Sequence, residues 1–265
     1  MNSITHIRPV SETGPGLHYA PAPEAPAFRV MRPAGQAPIS PLVFNSPHSG
    51  SDYPADFVAA SPLDLATLRR SEDSFVDEIF AEAPKYGAPL LKALFPRAYL
   101  DVNREAFELD PGMFADSLPE HCNTASLRAA GGLGTIARVV ADGKNIYREK
   151  LPFSEAERRV NTLYRPYHAA LNGLLEGALQ ACGVAVLIDC HSMPSQGAPL
   201  HATARRPVEI ILGDRYGTSC APQISQLVDE TLTGLGYLVA RNNPYAGGHI
   251  TGIYGKPEQG RHALQ

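Results

Sequence analysis

The sequence predicts an α/β sandwich built on a largely parallel sheet. Short apolar runs of strand length alternate along the chain with segments of helical period, which is the pattern of this fold class. The runs are predominantly apolar, as is typical of strands buried on both faces of a parallel sheet. A chain of 265 residues, 44% of them hydrophobic and 19% charged, can bury such a core without disulfides.

Strands are predicted at six apolar runs, and we expect one more short strand near Phe28–Met31. That last strand lies in residues 1–40, which are rich in Pro and Gly and are predicted to form an irregular arm. Residues 41–265 are predicted to form a single domain. The six runs are Leu42–Asn45, Leu90–Phe95, Ala98–Val102, Val184–Asp189, Val208–Leu212 and Tyr237–Ala240.

Capping residues and helical periodicity predict four helices between these strands. A Ser before the first turn caps free backbone N–H groups, and a Pro at the first helical position needs no partner for its nitrogen. Pro166 is expected to kink or divide the longest helix. In chain order the helices are predicted at Ser61-Pro62, at Ser71 with apolar positions Phe75, Val76, Ile79 and Phe80, from the Ser154–Glu157 capping box to about Ala181, and from about Pro222 to Leu235 before Gly236.

Residues 105–150 interrupt the alternation of strands and helices. A long irregular insertion in a compact domain is more often a functional lid than a defect, so we predict that this segment covers a ligand site. The run Gly131-Gly132-Leu133-Gly134 at its centre is too short for a dinucleotide or phosphate fingerprint and predicts a plain turn.

Composition argues against several classes of protein. The net charge is −4 and no Lys/Arg cluster exceeds a triple, which disfavours nucleic acid as a partner. No leader-like apolar segment opens the chain and no 18 apolar residues run together. We therefore expect a cytoplasmic protein without a membrane partner, which binds a small molecule and whose oligomeric state is left open. The four cysteines are Cys122, Cys182, Cys190 and Cys220. They lack CxxC spacing, so neither a disulfide scaffold nor a thiolate zinc site is indicated.

Two histidines follow predicted strands and are candidate metal ligands. His48 lies just beyond the first strong strand, and His191 lies just beyond the strand that ends at Asp189. Ligands of α/β sheets bind beyond the carboxyl ends of strands, so the two rings can converge on one metal. Asp189 is two residues before His191 and could orient its ring as an outer carboxylate. The alternative is that both are ordinary loop histidines. We favour this alternative less for two histidines at separate strand ends than we would for a single one.

A catalytic zinc site usually needs a third protein ligand, and Glu72 and Asp73 are the nearest acids to consider. Each has apolar residues three and seven positions later, so spacing does not choose between them. Either acid could instead simply complement the dipole of the helix expected to follow.

Two further segments carry candidate polar groups. Asp101 and Asn103 share one face of the predicted strand and Arg104 ends it, which suits a substrate carboxylate as well as an exposed ion pair. Residues 245–255 are dense in glycine and include His249, so they can approach a ligand closely or form an ordinary hairpin.

Taken together, these segments resemble the N-formylglutamate amidohydrolase (deformylase) family. The resemblance covers most of residues 40–265 in the family's order and leaves out residues 1–40. The stretches that carry it are NSPHSGSDYP, RRSEDSFVDEIF, RAYLDVNRE, RPYHAAL, LIDCHSMPS, GDRYGTSC and NPYAGGHITGIYGKPEQGRHALQ.

The resemblance implies a three-layer αβα sandwich with a mixed, largely parallel central sheet, as in zinc carboxypeptidases and aspartoacylases. It implies one divalent ion, zinc by default, held by His48 and His191. Those relatives place a Glu at the position of Ser51, so the carboxylate ligand must come from elsewhere, and the family's Asp at the SEDS position favours Asp73 over Glu72.

The resemblance also implies which residues bind substrate. Asn103 and Arg104 correspond to the pair that grips the substrate carboxylate in the related enzymes. Arg97 and Arg215 are further cations available for a dicarboxylate. The implied reaction is zinc-dependent hydrolysis of the amide of an N-acyl amino acid, N-formyl-L-glutamate to formate and L-glutamate.

The general base is the least defined element of this expectation. The family motif HALQ is followed by a hydrophobic residue and a Glu that resembles the carboxypeptidase base, and the sequence ends at Gln265. Glu72, His249 and Glu258 are the candidates that remain. The alternatives are a zinc carboxypeptidase or amidase that acts on a larger substrate, and a catalytically impaired binding protein. A serine hydrolase is disfavoured because no G-x-S-x-G elbow surrounds Ser192 or Ser195.

Overall fold

A computed structural model describes residues 26–35, 39–195, 198–201 and 203–265. The remainder of the predicted N-terminal arm, residues 1–25 and 36–38, lies outside the described residues. The strands are β1 (Phe28–Met31), β2 (Leu42–Ser46), β3 (Leu90–Ala93), β4 (Val139–Val140), β5 (Lys144–Asn145), β6 (Ala185–Asp189), β7 (Ile210–Leu212), β8 (Val239–Arg241) and β9 (Arg261–Leu264).

Helices connect most of these strands. They are α1 (Ala55–Ala60), α2 (Leu65–Arg69), α3 (Val76–Ile79), α4 (Leu127–Ala130), α5 (Phe153–Arg159), α6 (Arg165–Cys182), α7 (Pro222–Gly234) and α8 (His249–Tyr254). A π-helical turn, Val160–Tyr164, joins α5 to α6.

The central sheet has five strands in the order β1-β3-β2-β6-β9. The pairs β3-β2, β2-β6 and β6-β9 are parallel, and β1 is antiparallel to β3 at one edge. Two smaller pairs lie apart from it, the parallel β7-β8 and the antiparallel β4-β5. Because β2 and β6 are adjacent and parallel, their carboxyl ends open at the same edge of the sheet.

The core forms where helices cover this sheet. The long helix α6 packs against β2, β3 and β6, and α8 packs against β6 and β9. The apolar residues of β6, from Ala185 to Ile188, are buried or half-buried on both faces of the sheet, as is typical of a central parallel strand. A mixed, largely parallel sheet with flanking helices confirms the predicted α/β class.

One predicted strand is wrong. Residues Ala98–Val102 are buried, but they form turns rather than a strand. Pro96 has no N–H for a ladder, and its carbonyl accepts hydrogen bonds from the nitrogens of both Tyr99 and Leu100. The apolar run therefore packs into the core while its backbone turns back on itself. The predicted runs at 208–212 and 237–240 are strands only over β7 and β8, outside the central sheet.

Three predicted helix starts are also wrong. Asp64, rather than Ser61, caps α2 by accepting a hydrogen bond from the Thr67 nitrogen at 2.7 Å. Helix α5 begins at Phe153 without a side-chain cap, so Ser154 is already inside it and forms no capping box. Near Pro166, where a kink or division of the long helix was predicted, a π-helical turn separates α5 from α6 while the backbone of Arg159, Tyr164 and Arg165 stays in right-handed helical conformation.

The third error changes the surroundings of the candidate acids. Helix α3 begins at Val76 instead of at Ser71, because Phe75 adopts a left-handed conformation with φ 66°. Phe75 and Ile79, which the helical period assigned to the core, are 64% and 71% exposed. Residues 71–75 thus form a turn, and the two acids lie in that turn and not on a helix.

Residues 105–150 are short elements and turns packed onto the main core. Leu109, Met113, Ile136 and Ile146 belong to the same buried cluster as the sheet residues. A role for this segment as a cover over a ligand stays a prediction.

Candidate metal centre and substrate cleft

The carboxyl ends of β2 and β6 bring His48 and His191 together. Their ring centroids are 4.8 Å apart. His48 is 2% exposed, and His191 lies at the edge of the buried region. The prediction that two strand ends converge is therefore confirmed in geometry.

Asp73 joins these histidines from the turn between α2 and α3. Its backbone nitrogen donates to the carbonyl of His48 at 3.0 Å, which fixes the turn against the end of β2. Its Oδ2 lies 2.8 Å from Nδ1 of His191 and 3.4 Å from Nδ1 of His48. One oxygen of the Asp73 carboxylate thus lies close to the Nδ1 atoms of both histidine rings.

His48, Asp73 and His191 could hold a metal ion. Each offers one ligand atom, and these atoms lie within 4.8 Å of one another. Nδ1 of His48 is buried and has no hydrogen-bond partner among the described residues. A buried acceptor without a partner is costly, and a metal ion bound by the cluster would satisfy this atom.

The opposite nitrogen of each ring is held by a second carboxylate. Nε2 of His48 lies 2.7 Å from Oδ1 of Asp101, and Nε2 of His191 lies 3.1 Å from Oδ2 of Asp189. Carboxylates behind histidine ligands fix the ring orientation and make the facing nitrogen a better donor to a metal. The contact expected for Asp189 is present. Asp101 plays the same part for His48, and sequence reasoning missed it because a strand was predicted there.

Two further residues support Asp189 and were also missed. The Asn45 amide donates to Oδ1 of Asp189 at 2.7 Å, and the Tyr167 hydroxyl donates to Oδ1 of Asn45 at 2.6 Å. All three residues are at most 1% exposed. The signals were available as the Asn that precedes SPH and the Tyr of RPYH, but nothing in the sequence pairs them.

The electrostatics of the cluster favour a positive charge between the rings. Burial alone would raise the pKa of Asp73, but the hydrogen bond from His191 and the electrostatic effect of the nearby His48 ring outweigh it and hold that pKa well below its usual range. Burial disfavours a charged His191 ring, yet Asp189 and Asp73 raise the pKa of His191 to about 9. The site therefore stabilises a cation, whether a proton or a metal ion.

Arg97 and Arg104 lie beside the cluster through Asp101. Nη2 of Arg97 donates to Oδ2 of Asp101 at 2.9 Å, and its Nη1 lies 3.8 Å from Asp73. Arg104 donates to the carbonyls of Leu133 and Asn103, and its Nη2 lies 3.8 Å from Asp101. Both predicted cations thus reach the site, although each is partly engaged in holding it together.

Asn103 lies between the histidines and the glycine-dense segment. Its Nδ2 is 3.3 Å from Nε2 of His191, and its Oδ1 accepts from the Ile250 nitrogen at 2.8 Å. A Cβ on Gly248 would lie 2.5 Å from the Asn103 amide, so the close approach requires glycine there. Asn103, which was predicted to bind substrate, is only 3% exposed. Its amide instead contacts His191 and the start of α8.

His249 begins α8 and lines an adjoining polar cleft of about 390 Å³. Its Nε2 is 3.3 Å from the hydroxyl of Tyr164, which donates its own proton to the carbonyl of Arg104 at 2.8 Å. Tyr164 ends the π-helical turn, a feature frequent at functional sites. Arg215, another predicted substrate ligand, lines the same cleft.

Glu72 is not brought to the cluster. Its Oε2 accepts from Nε of Arg69 at 3.2 Å and from the Ser74 hydroxyl at 3.1 Å. The three ligand atoms of the cluster come from Asp73 and the histidines. Neighbouring residues of the 71–75 turn point to different sides, so Asp73 faces the rings and Glu72 faces away. The structure gives no support to a catalytic role for Glu72.

These features define a class of protein. An α/β sheet delivers a His-Asp-His cluster, each ring backed by a carboxylate, beside arginines and an open polar cleft. Donor sets of this kind, which could hold a metal ion, occur in hydrolases.

The chain belongs to the N-formylglutamate amidohydrolase family, which it matches over residues 40–265. It is thus an enzyme of a family that hydrolyses an amide. Among its relatives, the N-formylglutamate deformylase of Pseudomonas aeruginosa PAO1 is 30% identical over 85% of this chain and 79% of its own length. That of Pseudomonas putida is 28% identical over 85% of this chain and 78% of its own length.

Solved structures agree with the fold. The N-formylglutamate amidohydrolase of Ralstonia eutropha JMP134 is 39% identical, with a TM-score of 0.81 over 90% of this chain and 84% of that one. An Agrobacterium tumefaciens protein, 20% identical with a TM-score of 0.59 over 90% of this chain and 82% of that one, shares the fold. Among the described residues, no helix is both long and apolar enough to cross a membrane.

Proposed function

We propose that this chain hydrolyses the amide bond of N-formyl-L-glutamate to formate and L-glutamate, with one divalent ion, zinc, as its cofactor. The observation that carries the proposal is the shared Oδ2 of Asp73 between two histidine Nδ1 atoms, one of them buried without a partner in the described residues. Family membership adds the reaction class. Two curated relatives bear the name of this activity.

His48, Asp73 and His191 would hold the zinc ion. Two imidazoles and one carboxylate are a donor set typical of catalytic zinc, which leaves a position open. When bound, the ion supplies Lewis acidity that polarises a carbonyl and activates water. Asp101 and Asp189 keep both rings aimed at that position.

Arg104 and Arg97 would bind the α-carboxylate of the substrate. Each has a guanidinium nitrogen close to Asp101 and next to the metal cluster, and a guanidinium meets a carboxylate with two parallel hydrogen bonds. Asn103 would act indirectly, because its amide lies against the His191 ring and its Oδ1 already accepts from the Ile250 nitrogen near the start of α8.

His249 would transfer the proton. Burial first of all lowers its pKa, so its ring is neutral near pH 7 and able to accept. Since the Tyr164 hydroxyl donates to a carbonyl, its oxygen receives the Nε2 proton of His249 and leaves Nδ1 as the accepting atom. General acid–base groups of this kind contribute about 10²–10⁴-fold to rate.

Formate release from a panel of N-formyl amino acids, measured beside the zinc content of the same sample, tests the function. We expect N-formylglutamate to be the best substrate and His48→Ala and His191→Ala to lose both zinc and activity. His249→Gln should retain zinc and lower kcat by about 10²–10⁴-fold. His121→Gln, at an exposed ring packed on Phe107, is the matched control and should behave as wild type.

Three results would contradict the proposal. Full zinc occupancy in both ligand variants would place the metal elsewhere. Hydrolysis of longer peptides in preference to N-formyl amino acids would favour a carboxypeptidase-like enzyme. Zinc binding without formate release from any member of the panel would indicate a binding protein. A cytoplasmic location is part of the same proposal, and cell fractionation tests it.

A further inference from the structure

The polar cleft beside the metal cluster has two arginines that the metal site does not use. Arg128 follows the start of α4, and Arg215 lies across the start of α8; both line the cleft with His249. Within the described residues neither guanidinium forms an ion pair with a carboxylate, and Arg128 makes no side-chain hydrogen bond. Two unpaired cations facing one cavity indicate a place for an anion.

The carboxylates of the cleft already have other partners. Oε1 of Glu108 accepts from the Ser126 hydroxyl at 2.5 Å, and Oε2 of Glu105 accepts from the Asn123 amide at 2.8 Å. Both donors are neutral, so neither acid cancels an arginine by a direct contact. The acids occupy part of the cleft wall and leave the guanidinium groups available.

Arg128 is placed by the packed part of the 105–150 segment. The Ser126 hydroxyl caps α4 by accepting from the Ala129 nitrogen at 2.9 Å, while it donates to buried Glu108. This fixes the first turn of α4 at the cleft wall. Burial chiefly, and then the nearby charge of Arg128, lower the pKa of Arg104 against the opposing effect of Asp101. Arg128 therefore lies within electrostatic range of Arg104.

Arg215 lies in a groove that glycine keeps open. Its Nη1 donates weakly to the carbonyls of Gly247 and Gly248, at 3.5 and 3.3 Å. A Cβ on Gly252 would meet Cζ of Arg215 at 3.3 Å, so a side chain there would push the guanidinium away. The start of α8 therefore has contacts in two directions. Ile250 contacts Asn103, which lies beside His191 of the metal cluster. Gly252 contacts Arg215, which lines the cleft.

We infer that Arg128 and Arg215 form the subsite for the side-chain carboxylate of the substrate, so that the cleft selects acidic N-formyl amino acids over their uncharged isosteres. The inference rests on the proposed function and deepens it. Arg97 and Arg104, at the metal cluster, bind the α-carboxylate common to all amino acids. Arg128 and Arg215, which line the adjoining cleft, bind the side-chain carboxylate.

The test compares N-formyl-L-glutamate with N-formyl-L-glutamine, which has nearly the same shape without the charge. Arg128→Gln and Arg215→Gln should each raise KM for the glutamate substrate roughly tenfold, the loss expected for one charge-assisted hydrogen bond. KM for the glutamine substrate should stay within about twofold of wild type. The value of kcat for both substrates should do the same, because neither arginine is expected to touch the reacting amide. Arg128→Lys keeps the charge and should lose less.

Two matched variants control for charge and folding. Arg148→Gln changes an exposed arginine of the same segment whose guanidinium contacts the Ala59 carbonyl; it should leave both substrates unaffected. Glu105→Gln removes a negative charge from the cleft and should lower KM for the glutamate substrate, opposite to the arginine variants. An equal loss on both substrates, or a wild-type enzyme without preference for glutamate, overturns the inference.

Direct binding separates this inference from the proposed function. Calorimetric titration of the zinc-loaded enzyme with L-glutamate and with L-glutamine should show tighter binding of glutamate in wild type and little difference in Arg128→Gln. If wild type releases no formate from any substrate yet shows this binding difference, the function fails and the anion subsite stands. If formate is released but the binding ratio does not change in Arg128→Gln, the subsite fails and the function stands.

Discussion

Asp101 is predicted to control metal affinity without being a ligand. Its Oδ1 receives Nε2 of His48 at 2.7 Å and the Asn103 nitrogen at 2.8 Å, and its Oδ2 receives Arg97 at 2.9 Å. Every one of these contacts needs an acceptor. In Asp101→Asn, one of the two sites becomes an amide donor, so either His48 or Arg97 loses its partner.

The consequence for His48 follows from its tautomer. A carboxylate at Nε2 keeps the proton there and leaves Nδ1 free to bind metal. An amide donor at Nε2 would drive the proton to Nδ1, which then competes with the metal. Loss of such outer partners typically lowers metal affinity 10–100-fold, about 1.4–2.7 kcal/mol.

The assay is a zinc titration against a competing chelator with purified protein, at 25 °C and neutral pH. Asp110→Asn is the matched control, since Asp110 pairs with Arg138 at 2.5 Å outside the cluster. Both variants lose an Asp–Arg contact, so both will lose some stability. We expect only Asp101→Asn to weaken zinc binding, by about 10–100-fold. If the two variants had the same zinc Kd, Asp101 would not orient His48.

Three further outcomes follow from the same geometry. Asp73→Asn should lower zinc affinity more than tenfold, and Glu72→Gln should change it little; a reversed order in the chelator titration would make Glu72 the ligand. Burial lowers the pKa of His168 to about 4 from 6.5, so the unfolded chain binds more protons between those values. The free energy of unfolding should therefore fall as pH drops from about 6.5 to about 4, by up to about 1.4 kcal/mol per pH unit. His168→Gln should flatten that slope in urea denaturation, and identical slopes would refute the assignment. Gly248→Ala places a Cβ 2.5 Å from the Asn103 amide and should destabilise by about 1–3 kcal/mol, whereas a neutral melting shift would show that the amide can move.

The sheet and its histidines could be predicted because their signals are local. A continuous apolar run identifies a buried parallel strand, and the residue just after it must emerge at the sheet edge. His48 and His191 each follow such a run. The pairing of β2 with β6, by contrast, is not signalled by any particular residue of the sequence.

The contacts behind the ligands could not be predicted in this way. Asp101 and Asn45 act through partners dozens of residues away in the chain, and their roles depend on where a turn points its side chains. Apolar content predicted a separate strand at Ala98–Val102, but the backbone there turns onto the carbonyl of Pro96. Hydrophobic periodicity reports burial, and buried turns have the same periodicity as short strands.

The choice between Glu72 and Asp73 shows where the local signal stops. If the turn shifts by one residue, the neighbouring side chain faces inward instead. Sequence composition does not distinguish these two arrangements. Two contacts remove the ambiguity. The Asp73 nitrogen donates to the carbonyl of His48, which ties that residue to the end of β2. Phe75 then takes a left-handed conformation, a strained state for a bulky residue, and turns the chain away into α3. The acid that faces the histidines is therefore selected by a backbone hydrogen bond to the residue that carries the first imidazole, and the same bond holds the Asp73 carboxylate beside that ring.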